Sequence, residues 1–238
     1  YLSSVHFSEE EDGINIQPDL SSAEGHILCW DQNISHTFIT DSAYVISLQA
    51  HELRAGKSID FTLSQSFIFP EYSWEQERDQ VEQKAKRVED ALEARIHEKQ
   101  TQLQSIYIEL DTNFQSESFK NLVAKTHLTL QNNWRTPAGA LKHAGLFPSY
   151  HYQWFHGFWA WDSWKHAVAL SRYDVALAKD QIRALYDYMD EEGFIADCIF
   201  RDTAIEKHNY RNTKAPLSAW AVWKVFEQDQ DTNFLAEL

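Results

Sequence analysis

The feature that most constrains this fold is an unbroken charged stretch in the middle of the chain, residues 74–104. It contains 14 charged residues and no Gly, Pro, Ser or Asn. Its apolar side chains recur at helical spacing, at Val81, Ala85, Val88, Leu92 and Ile96. Nothing in it breaks a helix, so the pattern predicts a solvated helix along a domain surface, capped by Ser73 with Gln76. The linker region 73–110 thus separates two parts of different character.

Residues 1–72 show the period-two alternation of antiparallel β-strands. Between Ile59 and Phe69 the apolar residues fall on one side of the chain, which predicts a half-buried strand. Further strands are expected at 26–30, 36–39 and 44–48, with 51–57 as a hairpin connection. Links this short exclude helical crossovers, so antiparallel pairing follows. The wide apolar faces predict part of a larger β-sandwich.

Residues 111–238 have the patterns of helices joined by structured loops. Helices are expected at 116–132, 158–171, 175–189 and 215–227, with 133–156 as a loop, 194–200 extended and a further helix from 231. The residues expected to be buried in the first of these helices are Phe119, Leu122, Val123, Leu128 and Leu130. Pro216 is expected in the first turn of the last complete helix, where its missing N–H costs nothing.

Composition excludes several classes of function. With 21 basic and 36 acidic residues, the net charge of −15 argues against nucleic-acid or anionic-membrane partners. No apolar run is long enough to span a bilayer. Cys29 and Cys198 are too few for a disulfide framework, and they can pair or stay free. No metal-ligand, phosphate-loop or serine-hydrolase motif is present, so no cofactor is expected in this chain. The compartment, periplasm or cytoplasm, stays open.

The density of aromatic residues points to a binding surface. Nine of the eighteen residues from Phe147 to Trp164 are Phe, Tyr or Trp. On a helix, Phe158, Trp161, Asp162 and Lys165 would share one face. An indole plate beside a carboxylate and an ammonium suits a polyol such as a sugar. A structural Asp–Lys pair beside core tryptophans explains the spacing equally well.

Two further sets of polar residues leave alternatives open. The segment 210–216 precedes a helix, so its side chains either face a cleft or simply cap that helix. His166 and His208 can act as acid–base groups or as structural histidines.

Four segments in order resemble glycoside hydrolase family 63, including its bacterial α-glucosidases and the eukaryotic processing α-glucosidase I. They run from Asn133 to His143, Gly145 to Ser149, Gly157 to His166, and Arg211 to Trp220. The similarity is strong over 130–223, whereas only the architecture agrees over 1–110. The chain therefore resembles an N-terminal or internal portion of such an enzyme.

The resemblance implies an α+β multi-domain fold. It has part of an antiparallel β-supersandwich (1–72), a linker helix (73–110) and the first helices of an (α/α)6 barrel (111–238). The implied reaction is inverting hydrolysis of a terminal α-glucosyl residue of an oligosaccharide. Its general acid Asp and general base Glu are expected after Leu238, so no catalytic residue is assigned here. A structural calcium ion is possible in that later part.

The resemblance also assigns sugar contacts. Asp162 would hold the glucose in the −1 subsite, and Trp161 would stack on it. The remaining expected substrate-binding residues are Lys214, Phe158, Trp159, Trp220, Lys165 and Asn212. A further barrel segment or a second chain is expected to cover the helical half. Two alternatives remain: a sugar-binding module without activity, and a related hydrolase such as a mannosylglycerate hydrolase or a trehalase-type enzyme.

Overall fold

The computed structural model describes residues 4–30, 34–40, 43–49, 52–149, 152, 154–211 and 215–238. Across these ranges the protein is α+β, with antiparallel sheets and seven α-helices. It divides into two compact units, Tyr1–Ile96 and His97–Leu238. Within the described ranges, none of the helices has the length and apolar character needed to cross a membrane.

The first unit is built on a four-stranded antiparallel sheet with the strand order β1-β2-β3-β6. The strands are β1 (Val5–Glu10), β2 (Gly13–Pro18), β3 (Glu24–Cys29) and β6 (Leu63–Ile68), and β4 (Ile34–Ile39) and β5 (Tyr44–Leu48) form a separate hairpin. The expected antiparallel pairing is confirmed. The hairpin connection expected at 51–57 is wrong for its described residues, because β5 pairs with β4 whereas β6 pairs with β3.

Each face of this sheet is covered by a different element. Ile14 lies opposite Ile27 in the register of β2 and β3, and with Ile16 they form a small apolar core. Tyr44 and Ile46 of β5 pack against this core. Burial of these side chains therefore holds the β4–β5 hairpin on one face of the sheet.

On the opposite face, helix α1 (Trp74–Ala85) packs through its first residue. The Trp74 indole stacks on the His26 imidazole, with centroids 3.8 Å apart and planes at 10°. His26 is almost fully buried, and its Nδ1 lies 3.1 Å from Glu10 Oε1. This stack fixes the point at which the chain leaves the sheet.

The strand expected over 59–69 is shorter, and its apolar side is not buried. Strand β6 covers only Leu63–Ile68, and Phe61, Leu63 and Phe67 are each more than half exposed. The period of two is correct, since Ser64, Ser66 and Ile68 are the more buried alternate residues. The β4–β5 hairpin packs near β2, so the apolar side of β6 lies uncovered at the edge of the sheet.

The charged stretch forms two helices rather than one, α1 and α2 (Val88–Glu109). Neither helix has a buried residue, as expected for a solvated surface helix. The helix is interrupted at Lys86 and Arg87, where the Arg87 N–H donates to the Lys84 carbonyl in a tighter i→i−3 bond. Ser73 occupies the N-cap position, but its side chain makes no capping hydrogen bond, so that detail of the prediction is wrong.

Helix α3 (Glu117–Asn132) buries polar rather than apolar residues. Phe119, Leu122 and Leu128 are exposed, contrary to expectation. The buried side chains are His127 and Gln131, which hydrogen-bond to residues of α2. His127 Nε2 lies 3.1 Å from Gln102 Oε1, and Lys99 Nζ donates to Gln131 Oε1 at 3.0 Å. These hydrogen bonds set the rotation of α3, because buried polar groups need partners.

The main hydrophobic core lies among the helices of the second unit: α4 (Ala160–Leu170), α5 (Val175–Tyr186), α6 (Ser218–Asp229) and α7 (Thr232–Glu237). It includes the fully buried side chains of Leu170, Ile182, Leu185, Val225 and Phe234. These helices lie close to the expected ranges. Phe158 and Pro216 are exceptions, because both precede the helices in which they were expected.

An ion-pair cluster ties α5 to the following helices. The nearly buried Lys179 Nζ donates to Asp229 at 2.5 Å and to Asp231 at 2.6 Å. Burial alone would lower the pKa of Lys179, but these two hydrogen-bonded carboxylates raise it. The ammonium thus stays charged and stabilises the α6–α7 corner.

In the described loops of the second unit, four two-residue strands pair as two antiparallel ribbons. β7 (Trp134–Arg135) pairs with β8 (Gly145–Leu146), and β9 (Phe158–Trp159) pairs with β10 (Cys198–Ile199). The loop expected at 133–156 is therefore partly ordered by strand pairing. The larger sandwich and the barrel stay predictions.

Candidate functional site

The candidate site is organised by the start of helix α4. Phe158 and Trp159 are extended and pair with β10, so the helix begins at Ala160. The Ala160 N–H donates to the Asp197 carbonyl at 2.8 Å, which satisfies one of the free N–H groups of the helix N-terminus. Phe158 is thus not on the helix, and the shared face predicted from its spacing is wrong for this residue.

Phe158 lies inside the core rather than on a surface. Its ring is fully buried and contacts Phe147 edge-to-face, with centroids 4.6 Å apart. The guanidinium carbon of Arg135 lies 4.3 Å from the centroid of Phe147. A Cβ on Gly145 would come within 2.3 Å of the Phe158 ring, so this close approach requires glycine. The sugar contact expected for Phe158 stays a prediction, and this structure leaves its ring no exposed surface.

The guanidinium of Arg135, which lies over the Phe147 ring, has a pKa that is shifted by its surroundings. Burial lowers the pKa of Arg135 to about 10, with the nearby charge of Arg201 acting in the same direction. Arg135 remains protonated at neutral pH and makes a cation–π contact with the Phe147 ring. The first and third family-like segments therefore meet through Arg135, Phe147 and Phe158.

The exposed part of the site begins one turn into α4. Trp161 is 48% exposed, and Lys165 Nζ lies 3.5 Å from its ring centroid. Asp162, in the first helical turn, is partly exposed. Of the two alternatives, the structural Asp162–Lys165 pair is therefore not the one formed, because the Lys165 ammonium lies over Trp161 instead. Trp161, Asp162 and Lys165 together present an apolar plate, an acceptor and a cation to solvent.

Other aromatic side chains extend this surface towards the preceding loop. Trp159 is partly buried, and its indole packs edge-on against Phe155 and Phe200, with centroids 5.9 and 6.1 Å away. Tyr152, Trp154 and Phe155 are exposed. A surface with this many flat rings can stack on the apolar faces of sugar rings.

The carboxylate of Asp197 and the guanidinium of Arg211 form an ion pair beside the start of α4. Arg211 Nε donates to Asp197 Oδ2 at 2.8 Å, and Arg211 Nη2 donates to the same oxygen. The side chain of Asp197 is 12% exposed, whereas that of Arg211 is 57% exposed. Sequence reasoning did not assign either residue to the site. Arg211 stands in the fourth family-like segment, but nothing in the sequence signals Asp197.

Ionisable groups around this point are shifted by burial. Burial raises the pKa of the Cys198 thiol, and the carboxylates of Asp197 and Glu206 add to the effect. Burial lowers the pKa of His166, which the nearby Asp162 carboxylate partly opposes. Cys198 is therefore an inert thiol, and Cys29 is likewise a buried free thiol.

Two further residues singled out in the sequence, His208 and Trp220, lie within the described part of the chain. His208 accepts the Phe200 N–H through Nδ1 at 3.1 Å, and burial lowers its pKa, so it is neutral in a structural contact. Trp220 lies on α6 and is exposed. Asn212 and Lys214 lie outside the described residues, and their sugar contacts stay predictions.

The four family-like segments are connected in space. The Phe147 N–H donates to the Asn133 carbonyl at 2.9 Å, which joins the first segment to the second. The Phe147–Phe158 contact joins the second to the third. The third reaches the fourth through Ala160, Asp197 and Arg211. Segments distant in sequence thus converge on the start of α4.

A metal centre has no support in the part of the chain that the structure describes. There, no group of three or more His, Cys, Asp or Glu side chains is arranged to hold an ion. The arrangement at α4 suits neutral or anionic ligands that stack on rings and accept or donate hydrogen bonds.

Part of the second unit matches a known family. Residues 155–238 match a family model described as the mannosylglycerate hydrolase MGH1-like glycoside hydrolase domain. The matched stretch contains Trp161, Asp162, Lys165, Asp197 and Arg211 and thus most of the candidate site. The match supports a glycoside hydrolase domain in this part of the chain and does not specify an α-glucosidase.

Proposed function

We propose that the surface at the start of α4 is the sugar-binding side of an inverting glycoside hydrolase that removes a terminal α-glucosyl residue. The observation that carries the proposal is the half-exposed Trp161 next to the partly exposed carboxylate of Asp162. The indole offers an apolar plate for one face of the sugar ring, and the carboxylate accepts hydrogen bonds from its hydroxyl groups.

In this proposal Asp162 binds the sugar rather than transferring the proton. Inverting hydrolysis needs two carboxyl groups about 6.5–9.5 Å apart, with water between the base and the sugar. The resemblance assigns neither of those two roles to a residue of this sequence. Asp162 contributes by a hydrogen bond that becomes stronger as the ring acquires oxocarbenium-like charge, which lowers the barrier rather than only tightening binding.

Substitution of Asp162 tests this role in the full-length protein that carries this sequence. Asp162→Asn keeps the shape and removes the charge, so we expect hydrolysis to fall about 10²–10³-fold, the effect of losing one such transition-state contact. Asp79→Asn, on the exposed surface of α1, is the matched control and should keep wild-type turnover. The assay follows release of glucose from α-linked glucosyl disaccharides, and circular dichroism checks that both variants are folded.

Wild-type turnover by Asp162→Asn would show that Asp162 is not a sugar contact. Inversion is tested separately by NMR, which follows the anomer first released from an α-glucoside. A β-anomer as the first product supports the inverting mechanism, whereas an α-anomer contradicts it.

Mannosylglycerate hydrolysis is the second candidate, and two observations favour it. The matched family model carries that name. Lys165 lies over Trp161, and the mostly exposed Arg211 lies beside the start of the same helix. Either cation can pair with the carboxylate of a glycerate group. Comparison of kcat/KM for mannosylglycerate and for α-glucosyl disaccharides decides between the two, and Lys165→Met should lower kcat/KM for mannosylglycerate more than for the disaccharides.

A further inference from the structure

We propose that Asp197 is a positioning residue of the sugar-binding surface: it fixes Arg211 and the start of α4 relative to each other. The effect on catalysis rests on the proposed function, whereas the effect on local structure does not. The backbone of Asp197 joins two segments of the chain.

The main chain of Asp197 connects the helix to the segment that precedes Arg211. Its carbonyl accepts the Ala160 N–H at 2.8 Å, and its own N–H donates to the Asn209 carbonyl at 2.7 Å. Cys198, the next residue, is paired with Trp159 on one side and with Asn209 on the other. Asp197 therefore lies where the start of α4 and the 208–211 segment meet.

The side chain of Asp197 adds a charged bond to this junction. Arg211 donates to Asp197 Oδ2 through both Nε and Nη2. An ion pair with both partners exposed contributes little, because water competes for it. Here the Asp197 carboxylate is only 12% exposed. Breaking this ion pair therefore costs more free energy than breaking a pair in which both partners are exposed.

The position of this bond gives it a role in the site. Ala160 immediately precedes Trp161 and Asp162, so a shift of the helix start moves both expected sugar contacts. A misplacement of about 1 Å in such groups is enough to lower the rate of an enzyme markedly.

Hydrogen–deuterium exchange of the full-length protein that carries this sequence tests the structural part in Asp197→Asn. We expect the amides of Ala160 and Asn209, which donate to the Asp197 and Cys198 carbonyls, to exchange about ten- to hundredfold faster, the effect of losing a charged hydrogen bond beside them. Glu237→Gln is the matched control, because it removes a carboxylate that also accepts two Arg bonds, from Arg183 at 2.7 and 3.1 Å. It should leave exchange at these amides unchanged. Unchanged exchange in Asp197→Asn would overturn the proposal.

Kinetics of the full-length protein test the positioning role. We expect kcat/KM in Asp197→Asn to fall about tenfold or more. The decrease should exceed that in Glu237→Gln when the two variants have equal thermal stability. Asp197→Asn/Arg211→Gln should be no worse than the poorer single variant, since the two residues act as one unit. Faster exchange with unchanged kcat/KM would overturn the positioning role. A wild-type protein inactive on every glycoside would refute the proposed function alone, and exchange would then decide for Asp197.

Discussion

Gln181 provides a test of how the loop beneath the site is held. This residue of α5 is fully buried, and its Oε1 accepts the Leu146 N–H at 2.5 Å. Its Nε2 donates to the Leu146 carbonyl at 3.4 Å. Leu146 is also fully buried and directly precedes Phe147, whose ring supports Phe158. The Gln181 amide thus makes the two backbone hydrogen bonds with Leu146 of β8 that a neighbouring strand would otherwise make.

Gln181→Met keeps the length of the side chain and removes both hydrogen bonds. A buried N–H left without a partner costs about 1–3 kcal/mol, which outweighs the gain from burying an apolar side chain in place of an amide. For a protein of this size that corresponds to a decrease in melting temperature of roughly 2–12 °C. Gln228→Met, on the exposed side of α6, is the control and should change stability by no more than about 0.5 kcal/mol.

The assay is thermal unfolding followed by near-ultraviolet circular dichroism, which reports the packing of the tryptophans in the second unit. Gln181→Glu provides a second measurement. A protonated carboxyl group can repeat both bonds of the amide, so this variant should be destabilised at neutral pH and partly recover at acidic pH. If Gln181→Met melts within 1 °C of the wild type, the bonds to Leu146 do not hold the loop.

Two further predictions concern a buried histidine and a close backbone approach. Burial, aided by the charge of Lys99, lowers the pKa of His127 below its usual 6.5, so the unfolded state binds the proton more readily. This contribution to stability is complete above about pH 6.5 and is lost as the pH falls below it. His127→Gln should therefore lose less stability than the wild type between about pH 7 and 5 in urea titrations; equal losses would contradict this. A Cβ on Gly157 would lie 2.5 Å from the Cys198 Sγ. Gly157→Ala should cost about 1–3 kcal/mol in calorimetry, and Gly157→Ala/Cys198→Ala should recover part of it, whereas no recovery would place the strain elsewhere.

Local patterns were sufficient where the backbone itself decides the structure. The alternation in 1–72 predicted antiparallel strands, and the charged stretch predicted helices without buried residues. The same reasoning located α4, α5 and α6 to within a few residues. Period and charge reflect the geometry of a single element, so they can be interpreted without knowledge of its neighbours.

The burial of a given side of an element could not be predicted, because it depends on what packs there. Phe67 alternates correctly along β6 but is exposed at the sheet edge, and Leu122 of α3 is exposed because polar side chains of α2 bond the opposite side. Phe158 shows the reverse case, since strand pairing with β10 removes it from the helix and places it in the core.

Likewise, some features of the candidate site could be predicted from the sequence, whereas others depended on the tertiary structure. The sequence by itself determined that Trp161, Asp162 and Lys165 lie within two turns of one helix, because their spacing fixes their separation. Only the tertiary structure decided that Lys165 lies over Trp161 rather than beside Asp162, and that Asp197 holds Arg211. Asp197 and Arg211 are fourteen residues apart and meet because β10 and the 208–211 segment pair across a loop. Such a contact depends on how the loop closes and on which groups are buried there, and neither is encoded in the spacing of residues along one element.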